Sequence, residues 1–385
     1  MAIDRLSSIL IIRRDNIGDL VCTTPLIGAL RRGYPQAHIA ALVNTYNRQV
    51  LEGHPELDAL YAYAKAKHRL PRQSRMAVYW DRLVLMRKLR ERHFDYVLVA
   101  SPHPGASELR LARWIAPAHI AGYADATGPV DLALPRDVTT ARHEVEDVFR
   151  LAQLFGIEGA PGRLSMAVDA AARERARRAL GTRAPGRKLI ALHISARKPS
   201  QRWPAERYAR LIQALVADAD ILLLWSPGAD DHPQHPGDDA KAQAVMDSAG
   251  KLPLIAYPTH ELRDLAAALS LADCVICSDG GAMHIAAALA KPIVCFFGDS
   301  DAARWHPWGV PYRLLQPESR DAADISLDTA LQALQELRRE SQGELPNPAN
   351  PRAGDRRSTW EDVLPWCGLV PPTLARGIFT FGKYV

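Results

Sequence analysis

Cysteine is scarce in this sequence, with five residues (Cys22, Cys274, Cys277, Cys295 and Cys367) in a chain of 385. Most sit inside apolar runs, which argues against a disulfide framework and suits reduced, buried thiols. Cys274 and Cys277 form a CxxC pattern. Inside a strand, however, residues three apart point to opposite faces, so the pair cannot chelate a metal together. Long apolar runs are also lacking: none approaches the roughly 20 residues a spanning helix needs. The run Ile9 to Ile12 is too short for a signal-peptide core and is followed at once by Arg13 and Arg14. These absences lead us to expect a soluble or membrane-surface protein.

What is present is ordinary in bulk and uneven in detail. Hydrophobic residues make up 48% and charged residues 24%, enough for packed cores, and the length predicts two domains. The net charge of +5 is concentrated: between Tyr61 and His93 ten Lys or Arg stand against Asp81 and Glu91 alone. Tyr61, Tyr63, Met76, Tyr79, Trp80, Leu83, Leu85 and Met86 are interleaved with them. Such a segment is either a solvated helix face with a loop, or a surface for anionic partners such as acidic lipid headgroups or a phosphorylated substrate. No nucleic-acid module accompanies it, so nucleic acid is not expected as a partner.

Short apolar strands alternate with helices in two series, which argues for parallel sheets covered on both faces. The first series opens with strand Ser8 to Arg13 and helix Gly18 to Arg31, then continues with strand His38 to Val43, helix Asp81 to Arg92, strand Tyr96 to Ala100 and helix Glu108 to Ile115. Turn-forming runs at Gly156 to Gly162 and Gly181 to Gly186 interrupt it. The second has strands at Lys188 to Ile194, Ile221 to Trp225, Cys274 to Cys277 and Ile293 to Phe297, with a final helix at Leu327 to Arg339. The expected fold class is therefore α/β, with two Rossmann-like doubly wound domains at 1–160 and 161–340 facing across a cleft. A poorly ordered Pro-rich tail is expected at 341–385.

Three segments after strands carry chemistry. In Arg13-Arg14-Asp15-Asn16-Ile17-Gly18-Asp19, Gly18 permits close backbone approach and Asp19 falls in a first helical turn, where the helix dipole favours a carboxylate. The three-glycine dinucleotide fingerprint is missing there. In Ser278-Asp279-Gly280-Gly281-Ala282-Met283-His284, glycines at a helix N-terminus expose N–H groups to an anion, so a diphosphate is the natural ligand. Asp279 either caps that helix or accepts from sugar hydroxyls. In His193 to Pro204, the loop Ser195-Ala196-Arg197-Lys198-Pro199-Ser200-Gln201-Arg202 gathers three cations suited to a leaving phosphate.

Together these segments resemble glycosyltransferase family 9, the ADP-heptose:lipopolysaccharide heptosyltransferases. The resemblance rests on Gly18-Asp19 with Thr23-Thr24-Pro25, on Arg202-Trp203-Pro204, and on Asp279-Gly280-Gly281 leading through His284 and Ala286-Ala287-Ala288 to Lys291-Pro292 and Phe297-Gly298. It covers roughly residues 8 to 340 and implies a GT-B fold with transfer by inversion at the anomeric carbon. Asp19 falls on the general base, with Arg14, Asn16 and Thr23 on the acceptor side. Ser195, Arg197, Lys198, Arg202, Asp279, Gly280, Gly281, Ala282 and His284 fall on the donor side. The implied substrates are a nucleotide-diphosphate sugar, ADP-heptose by the resemblance, and a lipopolysaccharide-core or related glycolipid. The implied location is the cytoplasm, with peripheral contact at the inner membrane. The sequence departs from the family in one place: Gln201 stands where a lysine is common.

No metal or cofactor is expected. Asp299-Ser300-Asp301 fits the Asp-x-Asp context of metal-dependent transferases only loosely, and Asp218-Ala219-Asp220 precedes its strand. His232 and His235 read either as a metal tract or, in preference, as a loop near the nucleotide, with Asp238 or Asp239 toward a ribose. Two other readings fit the same residues: a nucleotide-sugar epimerase or hydrolase, and a binding module without chemistry.

Overall fold

The computed structural model describes residues 6–63, 75–124, 129–137, 139–231 and 237–341. Lys65, Lys67, Arg69 and Arg72, the pair His232 and His235, and the tail from 342 onward lie outside the described residues.

Two six-stranded sheets form the frame. The first contains β1 (Ser8–Ile12), β2 (His38–Asn44), β3 (Ala59–Tyr63), β4 (Tyr96–Val99), β5 (His119–Tyr123) and β6 (Leu132–Leu134), ordered β3-β2-β1-β4-β5-β6. The second contains β7 (Lys188–His193), β8 (Ala219–Trp225), β9 (Ile255–Pro258), β10 (Cys274–Ser278), β11 (Ile293–Phe296) and β12 (Tyr312–Leu315), ordered β12-β11-β10-β7-β8-β9. Every pairing is parallel, and both orders are the doubly wound 3-2-1-4-5-6 pattern.

Period-two alternation distributes the core. Leu10 and Ile12 of β1 face one apolar layer with Met86, Leu89, Leu111 and Ile115, contributed by α3 (Arg75–Arg90) and α4 (Ala106–Ile115). Ile9 and Ile11 face a second layer, which continues through α1 (Ile17–Val21), α2 (Thr24–Gly33), α5 (Glu144–Phe149), α6 (Ala170–Leu180), α9 (Leu262–Leu271) and α10 (Gly281–Ala288) to Val275 and Cys277 of β10. The two halves thus share one continuous apolar layer. Cys274 faces a third layer with Ile276, backed by α7 (Ala205–Leu215), α8 (Asp239–Ala249) and α12 (Leu327–Ser341). The CxxC therefore splits across the sheet, and the four described cysteines are free and buried.

The structure departs from the sequence reading in several places. The single helix expected from Gly18 to Arg31 is broken into α1 and α2 at Cys22-Thr23, because Pro25 belongs at a helix start. Tyr61 and Tyr63, read within a basic aromatic surface, are buried strand residues of β3. Strands β3, β5, β6, β9 and β12 and helices α5 and α6 are additional to the elements expected from the sequence. Among the described residues, no helix is long and apolar enough to cross a membrane.

Candidate functional site

In a doubly wound sheet, the crevice opens at the C-terminal ends of the strands where the order reverses, here β1/β4 and β7/β10. The segments after β1, β7 and β10 are the three singled out in the sequence, and the chain brings them together. Helices α1 and α10 pack against each other, at a separation set by two glycines. A Cβ on Gly18 would lie 2.7 Å from Cδ2 of His284, and one on Gly281 would lie 3.1 Å from Ile17.

On the first wall, the Arg13 guanidinium is almost fully buried and surrounded by carboxylates. Its Nη2 donates to Asp19 at 2.9 Å and to Glu144 at 2.6 Å, its Nε lies 3.1 Å from Asp15, and its Nη1 donates to the Ala100 carbonyl. Burial alone would lower the Arg13 pKa, but Glu144, Asp19 and Asp15 outweigh it and raise it. The other Asp19 oxygen accepts from the Asn16 backbone N–H at 3.0 Å and from Asn16 Nδ2 at 3.1 Å. Asp19 thus caps α1 and is also clamped by Arg13, with 15% of its side chain open to solvent. Thr23 is buried and donates to the Asp19 carbonyl at 2.9 Å. Arg14 donates to Ser107 at 2.8 Å and stacks over Tyr63, while Asn16 is exposed.

The second wall is the turn into α10. Gly280 has φ 152°, which disfavours any side chain, and the space in front of it is open. The first N–H groups of α10 have no intrahelical acceptor. Ala282 is buried. Asp279 accepts from Gln201 Nε2 at 2.6 Å, and the same amide nitrogen donates to Ser300 at 2.9 Å. Burial raises the Asp279 pKa, opposed by the Ser300 hydrogen bond and the Lys198 charge. Arg197, Lys198 and Arg202 are all exposed: Lys198 pairs with Asp299 at 3.3 Å, Arg202 Nε donates to the Ala196 carbonyl, and the Arg197 charge reaches Tyr46 in the first half. Ser195 accepts from the Ser226 N–H. His284 is 2% exposed and fills the space between Gly18, Cys22 and Trp305 rather than the open side of the turn. Burial pushes its pKa down to about 4, against the pull of Asp19.

Sequence reasoning missed the residues that tie the walls together. Glu144 is buried on α5 and bridges Arg13 of the first half to Arg304 on α11 (Ala302–Trp305) of the second. No sequence signal singles it out, because it shares its helix with two further carboxylates, Glu146 and Asp147. Asp239 is already used by Trp225 Nε1 and the Gly228 N–H. Asp238 lies with Arg202 and Lys241 around a cavity of about 270 Å³. Burial lowers the Lys241 pKa to about 8, against the Asp238 charge. A cavity of about 330 Å³ at the ends of β4, β5 and β6 is lined by Arg136, Arg142, Arg150 and Arg304 and also by Asp137, Asp147 and Asp301, with Arg142 paired to Asp137 and Arg304 to Asp147. A further cavity, about 1130 Å³, runs along α5 beside His306 and Trp308 and holds none of the residues of the three loops. Among the described residues, no group of three or more His, Cys, Asp or Glu is placed to hold a metal.

The sequence profile of glycosyltransferase family 9 (heptosyltransferase) matches residues 82–332. The chain belongs to glycosyltransferase family 9. It is 24% identical over 300 residues to lipopolysaccharide heptosyltransferase 3 of Escherichia coli, covering 76% of this chain and 83% of that protein. A family 9 glycosyltransferase structure from Veillonella parvula superposes with TM-score 0.75 at 20% identity, over 88% of this chain and 99% of that one. The E. coli heptosyltransferase WaaC with ADP gives 0.69 at 18% identity, over 86% and 99%. The two-domain α/β architecture is therefore the GT-B fold, and the family 9 chain is a glycosyltransferase.

Proposed function

We propose that this family 9 enzyme transfers heptose from ADP-heptose to a lipopolysaccharide-core or related glycolipid, with inversion and without a metal. The residues up to about 160 would form the acceptor half and 161–340 the donor half. The observation that carries this reading is the packing of α1, which holds the clamped Asp19 carboxylate, against α10, whose N-terminal turn is open at Gly280, at the two switch points.

In this mechanism the acceptor hydroxyl gives its proton to a carboxylate oxygen of Asp19 as its oxygen bonds to the anomeric carbon. The bond from that carbon to the diphosphate breaks, and its electron pair leaves on the diphosphate. The orphan N–H groups of Gly281 and Ala282, with Arg197, Lys198 and Arg202, stabilise the charge that develops there. Asp279, held by Gln201 and Ser300, is oriented to accept from sugar hydroxyls. Because Gln201 is neutral, the charge falls to Lys198 and Arg202. His284 acts by position, keeping α1 and α10 in register. Arg14, Asn16 and Thr23 shape the acceptor side, and Arg136 and Arg150 at the 330 Å³ cavity would face its anionic groups. Such an acceptor places the enzyme at the cytoplasmic face of the inner membrane.

The test is to incubate the protein with ADP-heptose and a heptose-deficient core glycolipid, following ADP release and product mass. Release that depends on acceptor, with one heptose added, supports the reading. Release without acceptor points instead to a hydrolase, and no release with any core acceptor overturns the proposal.

A further inference from the structure

Seven large apolar side chains are exposed among the described residues, and six of them share one region: Met76, Tyr79, Trp80, Leu83 and Val84 on α3, and Trp114 on α4. On α3 they recur at helical spacing and form one stripe, 79, 57, 67, 51 and 50% exposed. The opposite face seats the helix on the body through buried Met86 and Leu89. Arg82 and Lys88 anchor it further by lying over the rings of Tyr63 and Tyr61. Helices α3 and α4 pack side by side, so Trp114 extends the same surface. The stripe is rimmed by exposed Arg87, Arg90, Arg92, Arg110 and Arg113 against exposed Asp81 and Glu91, and Glu91 is paired with Arg87.

We propose that this α3–α4 face is the surface by which the enzyme docks on an anionic lipid bilayer. A helix of 16 residues spans roughly 24 Å and carries too many charges to cross a bilayer. It has the features of a helix lying in the interface: apolar and aromatic residues on one stripe, with arginines and lysines around it. Tryptophan and tyrosine rings suit the headgroup level, and each cation near an anionic leaflet adds to the attraction. A second copy of the chain is the natural competitor, since Met, Trp, Tyr and Arg also favour protein interfaces. In an isologous contact, though, this cationic rim would meet itself, and like charges face to face oppose association.

The inference deepens the glycolipid-acceptor reading, because a membrane-resident acceptor has to be reached at the bilayer, yet it can fail separately. The full chain is to be sedimented with vesicles of phosphatidylethanolamine and phosphatidylglycerol, and with phosphatidylcholine vesicles as control. Wild type is expected to pellet with the anionic vesicles, to be released by salt, and to stay in solution with phosphatidylcholine. The double variant Leu83→Glu/Val84→Glu, on exposed positions, is expected to lose more than about tenfold in partitioning while keeping its thermal stabilisation by ADP. Equal binding by the variant, or no binding by wild type, overturns the proposal. A wild-type dimer in light scattering that the variant dissociates also overturns it, and makes the face a contact between copies. Turnover on a deacylated, water-soluble acceptor reads the catalytic proposal alone. Wild type and variant are expected to match there, and inactivity of both would sink the function reading while leaving the lipid result standing.

Discussion

Gly18→Ala separates two opposed effects whose sizes can be set out beforehand. In an isolated helix, alanine in place of glycine gains about 1 kcal/mol. Here the new Cβ would stand 2.7 Å from His284 Cδ2 and 3.1 Å from its Nε2. The ring has little room to retreat, because it is 2% exposed and packed against Cys22 and Trp305. Forcing a methyl into such a site costs about 1–3 kcal/mol, so the overlap outweighs propensity and a net loss of about 1 kcal/mol is expected. Urea unfolding should show a lower midpoint at unchanged slope. The decisive arm is the double-mutant cycle with His284→Ala. With the ring gone, Gly18→Ala should become neutral or stabilising by up to about 1 kcal/mol, a coupling of about 1–2 kcal/mol. A raised midpoint for Gly18→Ala alone, or a coupling within about 0.3 kcal/mol of zero, would refute the close approach of α1 and α10.

Two further outcomes follow from buried charge. Burial holds His143, His193 and His284 at pKa values of about 3, 4 and 4. Unfolded imidazoles near 6.5 take up protons that the folded ones refuse, so stability is complete above pH ~6.5 and declines as pH falls toward about 4, by at most ~3 kcal/mol per histidine. Melting temperatures measured downward from neutral pH check this, and a flat profile contradicts it. Glu144→Gln leaves the buried Arg13 and the half-buried Arg304 facing a neutral amide. Breaking a buried pair costs about 3–5 kcal/mol, less here because Arg13 keeps Asp19 and Asp15. A loss of about 2 kcal/mol in urea unfolding, with a fall in kcat as Asp19 loosens, is the expected result.

The central strands could be read directly from sequence because they are buried on both faces: β1, β2, β4, β7, β8, β10 and β11 each contain a short apolar run. The outer strands were harder. β3 reads Ala-Leu-Tyr-Ala-Tyr and runs into a basic segment, while β6 is three residues long with partly open side chains. The site was legible where chemistry is local, in the loops after β1, β7 and β10. It was not legible where it depends on distant partners. Arg13 and Glu144 are 131 residues apart, and no spacing rule pairs them. His284 could be seen as a residue of the third motif, but that it packs against Gly18 follows only from the meeting of α1 and α10.

The central claim, that Asp19 takes the acceptor proton, is tested most directly by Asp19→Asn, which keeps the shape of the side chain and removes the base. With ADP-heptose and a core acceptor, kcat is predicted to fall by about 10²–10⁴, while the dissociation constant for the donor, measured by calorimetry, stays at the wild-type value. A variant that keeps more than about a tenth of wild-type kcat would contradict the account, because general-base catalysis contributes more than that.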